Sequence, residues 1–218
     1  MNITAAAAKL TNNSPSVPPS LEQLHQRSTP AEAPATSTRK SFAETFYTRQ
    51  EEPWTAEKNG WGSPMSREDY VRDQYSLTAY SRTDLQETYE KFLQELKFLD
   101  PELSEKNFSY TLDINADIKV LDPKNNLNDD ELERLTDAMN KFKGLKELVQ
   151  GYAKGIMTLV DHDMETFGGK YDISLSNLYR TVDLGSENFR TKYPHNDWIM
   201  QIIEKADKRA TPLIDVQA

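Results

Sequence analysis

Residues 108–142 read FSYTLDINADIKVLDPKNNLNDDELERLTDAMNKF, and their pattern sets the architecture expected of the chain. Phe108, Tyr110, Leu112 and Ile114 alternate with Ser109, Thr111 and Asp113, a period of two in residues that favour strands. Ile118 and Val120 resume the alternation after Asn115-Ala116-Asp117. A two-residue loop at Asn115-Ala116 would set Ile118 opposite Asp113 and mix the faces. A three-residue loop, Asn115 to Asp117, pairs Ile114 with Ile118 and Leu112 with Val120, giving one apolar face. That antiparallel β-hairpin over about 108–121 is the expected register. Asp122-Pro123 stops the second strand. Asn128 then has the position of a helix N-cap, with Glu131 as its capping-box partner. Asp129, Asp130 and Glu131 stand where the helix dipole favours negative charge. Leu132, Leu135, Met139 and Phe142 follow at helical spacing. They are expected against the hairpin, because neither element can bury its apolar face alone.

Upstream, Leu85, Tyr89, Phe92, Leu93, Leu96 and Leu99 form a wide helical stripe that Thr83 would cap and Asp100-Pro101 would end. A separate helix is expected over Ser66–Tyr80, on Tyr70, Val71 and Tyr75. Downstream, Leu145, Leu148, Val149, Tyr152, Ile156, Leu159 and Val160 continue the helical rhythm. A break at Gly144 is expected, since an internal glycine costs about 1 kcal/mol relative to alanine; one unbroken helix is the alternative. Gly151 and Gly155, four apart, leave a flat patch for close approach of another element. Residues 171–184 fit both periods: Tyr171, Ile173 and Leu175 alternate, while Leu175, Leu178, Tyr179 and Val182 are helical. A short helix over about Ser174–Leu184, closed by Gly185, is expected. The last helix opens at Asn196, buries Trp198, Ile199, Ile202, Ile203 and Ala206, and places Lys205, Lys208 and Arg209 at its negative end.

The fold class expected is therefore α+β and predominantly helical, with four to six helices and one hairpin. Residues 1–65 read as a disordered Ala/Ser/Thr/Pro-rich tail carrying a Trp-containing arm, 66–211 as one helical domain, and 212–218 as a frayed end. The tail has too few large apolar residues to offset its ordering entropy. Within the arm, Trp54 and Trp61 either dock on the chain's own core or anchor another protein.

Across 218 residues, 37% are hydrophobic and 28% charged, and no run is long and apolar enough for a membrane span. The net charge of −9 argues against a nucleic-acid partner, which needs a basic surface. That charge lies in the body: the first fifty residues carry five basic and three acidic groups, the remainder 21 and 32. With no cysteine, disulfides, thiolate nucleophiles and cysteine metal sites are excluded. The N-terminus lacks the charged start and apolar core of a cleavable secretory signal. Compartment is left open between cytoplasm and export by another route.

The Ala-, Ser-, Thr- and Pro-rich first 30 residues resemble, in composition and without a strict motif, the export signals of bacterial type III secreted proteins. That resemblance implies a bacterial protein exported through its disordered start; composition by itself implies a flexible tail.

Candidate sites are few. Asp113-Ile114-Asn115-Ala116-Asp117 has the oxygen spacing that begins an EF-hand calcium loop, with Val120 at its apolar position. Ile118 stands where the turn needs glycine, and Lys124 where the bidentate Glu should be. A hairpin turn is the expectation. Asp161-His162-Asp163-Met164-Glu165 gathers carboxylates and a histidine; it reads as a solvated helix end, with a metal or carboxylate site as the alternative. There is no nucleophile elbow and no phosphate-binding glycine loop. Gly168, Gly169 and Gly185 supply turns. His25, His162 and His195 are the only histidines. No catalytic residue and no cofactor is assigned. The function expected is non-catalytic protein binding, with a carboxylate- or metal-dependent enzyme near Asp161–Glu165 as the alternative.

Overall fold

The computed structural model describes residues 42–55, 64–185 and 196–213, all within one packed unit. Expectations for the tail before residue 42, for Trp61, for His25 and His195, and for the last five residues lie outside these. The described chain opens with α1 (Phe42–Phe46) and an irregular segment to Thr55, then α2 (Arg67–Leu99), α3 (Pro101–Ser104), β1 (Ser109–Leu112) and β2 (Ile118–Leu121). It continues through α4 (Asp129–Lys141), α5 (Leu145–His162), α6 (Met164–Phe167), β3 (Tyr171–Asp172), α7 (Leu175–Thr181), α8 (Asn196–Lys205) and β4 (Asp207–Lys208). The fold is α+β and mostly helical; among the described residues three of the eight helices are four or five residues long.

The hairpin and the helix after it shelter one another. Tyr110, Leu112, Ile118 and Val120 are buried with Leu135 and Met139 in a single core. The capping box forms as read: Asn128 accepts from the Glu131 N–H, and Glu131 accepts from the Asn128 N–H, both at 2.9 Å. The register corrects the expectation. Leu112 pairs with Ile118 and Tyr110 with Val120, so the loop is five residues, Asp113–Asp117, and Ile114 is 54% exposed. The Asp113 carboxylate accepts from the N–H groups of Asn115 and Asp117, and Ala116 takes the left-handed conformation at φ 58°. A shift of two residues keeps the same face of each strand inward, with only Ile114 leaving the paired region, so alternation could not choose between the registers; the turn built on Asp113 did.

One side chain and one stretch of backbone from neighbouring elements hold the ribbon. The Asn140 amide accepts from the Ile118 N–H at 2.8 Å and donates to the Ile118 carbonyl at 2.7 Å. On the other strand, the Leu184 and Gly185 N–H groups donate to the Tyr110 carbonyl, and Thr111 Oγ1 donates to the Val182 carbonyl. Hence β1 is buried on both faces.

α2 also corrects the reading. It is one 33-residue helix, and the expected break between Tyr80 and Thr83 is absent. Thr78, Arg82, Leu85, Tyr89, Phe92 and Leu96 are its buried residues, at alternating steps of four and three. Arg82 holds a place in this stripe, between the two segments expected as separate helices. Thr83 caps nothing; its hydroxyl donates to the Ala79 carbonyl. The helix runs antiparallel to α5, with Arg67 against His162, Thr78 against Gly155, and Phe92 against Phe142. Gly144, at φ +82°, breaks the chain before α5 as expected. Of the two glycines read as a flat patch, Gly155 is the point of approach, whereas a β-carbon at Gly151 would meet nothing within 4 Å.

The C-terminal region departs further. Tyr171–Asp172 forms a strand, and α7 starts after Ser174, so both periods read there are used in turn. α7 ends at Thr181, short of the expected Gly185. α8 ends at Lys205, so Lys208 and Arg209 do not extend its last turn; Lys208 lies in β4, which pairs with β3.

Candidate functional site

The polar stretch Asp161–Glu165 was expected in solvent, and this is corrected for its first three residues. Asp161, His162 and Asp163 are 5%, 2% and 6% exposed. The cause is visible in α5, whose buried positions run without a gap from Leu159 through His162. Three elements cover that end: the segment before residue 56, the start of α2, and the segment around β3 and β4.

Each polar group there has a specific neighbour. The Asp161 Oδ2 accepts from the Tyr47 hydroxyl at 2.8 Å, and its Oδ1 from the Arg209 guanidinium. Arg209 Nε donates to the Tyr171 carbonyl at 2.7 Å, which fixes the guanidinium against the acid. Asp163 caps α6, with Oδ1 accepting from the Thr166 N–H, while Oδ2 accepts from the Tyr75 hydroxyl at 2.7 Å. Burial, and next the charge of Asp161, push the Tyr47 hydroxyl well above the usual phenol range. Tyr75 shifts the same way through burial and its bond to Asp163. Burial raises the Asp161 carboxyl, with Tyr47 and Arg209 opposing.

His162 sits in an aromatic corner. The Trp54 and Tyr70 rings each meet it edge-on at 5.7 Å. Arg67 lies over the Trp54 ring, 5.5 Å from its centroid, and donates from Nε to the His162 carbonyl. His162 Nδ1 is buried without a hydrogen-bond partner among the described residues. Burial first, then the charges of Arg49, Arg67 and Arg209, hold this imidazole down to about 4. Trp54 is thus half-buried against its own chain, on a segment that packs ahead of the boundary expected at Ser66. Phe46 joins the core, with the Lys154 ammonium 4.6 Å from its ring.

Beside this cluster a groove of about 880 Å³ runs between the N-terminal half of α2, α6 and Ile199 of α8. Val71, Ala79, Met164 and Ile199 give it an apolar floor; Glu68 and Glu165 stand exposed at its margins. Asp172 does not line it; that side chain is 56% exposed and 4.0 Å from Arg209. Among the described residues, no three His, Asp or Glu side chains are placed to hold a metal ion. The Asp113–Asp117 loop is a hairpin turn, with Asp113 occupied by backbone N–H groups and Asp117 paired to Lys146.

Sequence reasoning found Asp161, His162 and Asp163 but missed Tyr47, Tyr75 and Arg209. Tyr47 and Arg209 are 114 and 48 residues from Asp161, and no local pattern signals such a meeting. No helix among the described residues is long and apolar enough to cross a membrane. No family model, curated protein or solved structure matches this chain.

Proposed function

We propose that this chain is a non-catalytic protein-binding protein, of bacterial origin and exported through its N-terminal segment. The observation that carries the reading is the engagement of the buried acids. Both oxygens of Asp161 and both of Asp163 already accept hydrogen bonds from the chain itself. One bond on each oxygen accounts for the burial of these two carboxylates without calling on a ligand. These side chains instead tie the segment at Tyr47, the start of α2 and the segment at Arg209 to the end of α5. The alternative, a carboxylate- or metal-dependent enzyme near Asp161–Glu165, would rest on Glu165, the acid of that stretch left exposed. Large exposed apolar side chains, Tyr80, Phe98 and Leu99 among them, favour contact with another protein. Export rests on the composition of the first 30 residues alone.

The test is capture by the immobilised full-length chain from bacterial and host-cell lysates, beside calorimetric titration with Mg²⁺, Mn²⁺, Ca²⁺ and Zn²⁺. A saturable, stoichiometric protein partner that survives chelator supports the reading. Absence of any partner, together with tight metal binding lost in Glu165→Gln, overturns it.

A further inference from the structure

The groove between α2 and α6 is more specific than a generic apolar surface, and we propose that it receives a basic amphipathic helix of a partner protein. This rests on the protein-binding reading and names the surface and the chemistry of the partner. Three observations carry it.

The first is shape. From Glu68 to Ala79 the groove follows three turns of α2, about 17 Å at the rise of an α-helix. Its apolar floor ends at Ile199 of α8, and Ile203, one turn further on the same face, is 39% exposed. A guest with apolar residues at three- and four-residue steps matches that floor.

The second is the walls. The long wall of the groove is α2, whose backbone groups already bond within the helix. An extended guest would find no strand edge there to satisfy its own N–H and C=O groups. A helical guest satisfies them internally.

The third is charge. Of the charged side chains lining the groove, Arg67 is held over Trp54 and on the His162 carbonyl, and Arg72 is paired to Asp69. Asp163 is bonded to Tyr75 and Thr166. Glu68 and Glu165 make no ion pair among the described residues. The lining thus carries three carboxylates against two guanidiniums, one of them paired to Asp69, and this negative excess beside an apolar floor selects lysine or arginine flanking an apolar stripe.

The experiment uses the full chain and a fluorescein-labelled amphipathic helical peptide of leucine, alanine and lysine, read by anisotropy. A second peptide carries glutamate in place of lysine. The basic peptide binds saturably and more weakly as salt rises; the acidic one does not bind. Reversing both charges, Glu68→Lys with Glu165→Lys, weakens binding about tenfold, and Glu165→Lys alone, which leaves α2 untouched, weakens it by a smaller factor. Glu133→Lys, the same charge change on α4, leaves binding unchanged. Failure of the basic peptide to bind, indifference to the groove reversals, or an equal loss in Glu133→Lys overturns the inference. A partner captured from lysate equally well by the doubly reversed chain would end this groove assignment and leave the protein-binding reading standing.

Discussion

Replacing Gly155 by alanine sets two known effects against each other at one atom. A β-carbon there would lie 2.6 Å from Thr78 Oγ1 and 3.2 Å from Thr78 Cγ2, about 0.8 Å inside ordinary contact for the closer atom. Thr78 is 3% exposed and branched at Cβ, so it has little room to turn away. Overpacking of this kind costs about 1–3 kcal/mol. Alanine in a helix returns about 1 kcal/mol relative to glycine. The net expectation is destabilisation by about 1 kcal/mol, a fall of roughly half a molar in urea midpoint for an m value near 2 kcal/mol/M. The sign should invert when Thr78 is trimmed. In Thr78→Ala the clashing hydroxyl and methyl are gone, and the hydroxyl has no hydrogen-bond partner among the described residues to lose. Gly155→Ala should then stabilise by about 1 kcal/mol, a coupling of about 2 kcal/mol across the cycle. Gly151→Ala, which meets nothing within 4 Å, should stabilise the native background by about 1 kcal/mol. Urea unfolding followed by circular dichroism measures all five proteins. If Gly155→Ala stabilises the native background as much as Gly151→Ala does, the close approach of α2 to α5 at Thr78 is wrong.

His162 should make the fold acid-sensitive. Its folded value of about 4 lies below the ordinary value of about 6.5. The unfolded chain therefore binds the proton first, and stability is lost as pH falls from about 6.5 to about 4. The full shift corresponds to about 3 kcal/mol, and allowing for solvent screening about 2 kcal/mol is expected. Asp161, raised by burial, acts in the opposite sense, so the comparison is between the native chain and His162→Phe, whose urea midpoint should vary less over that window. Equal pH slopes for the two proteins would refute the assignment. Arg209→Met should cost about 3 kcal/mol, because it leaves the Asp161 carboxylate buried with the Tyr47 hydrogen bond and only the unbonded charge of Arg49. Arg209→Met with Asp161→Asn should cost less than the single change; thermal melts that rank the double variant lower would contradict the pairing.

What could be read in advance was what local pattern controls. The Asn128–Glu131 box, the stop at Gly144 and the inward set Tyr110, Leu112, Ile118 and Val120 depend on neighbours within a few residues, and all are present. The hairpin register was not legible because registers two residues apart bury the same face, and the choice lay in the Asp113 turn. The length of α2 was not legible because Thr83 has the residue type of a cap but sits inside the helix, where its hydroxyl donates to the Ala79 carbonyl, while Arg82, polar by type, takes a buried place in a seven-residue rhythm. The tyrosines and arginine around Asp161 had no signal at all. They come from three distant segments, and only folding brings them to one carboxylate. The burial of His162 follows from the same convergence.

The Asn140 amide has a consequence for assembly. It occupies the outward N–H and C=O of Ile118, while Leu184 and Gly185 occupy the outward carbonyl of Tyr110 on the opposite side. A two-stranded ribbon left bare would be a template on which further strands, from another molecule or from a misfolded copy, could stack. Here a side chain imitates a third strand on one flank and a stretch of loop does so on the other. The ribbon is finished at two strands, and fibril-like growth would first have to dislodge Asn140 or the 182–185 segment.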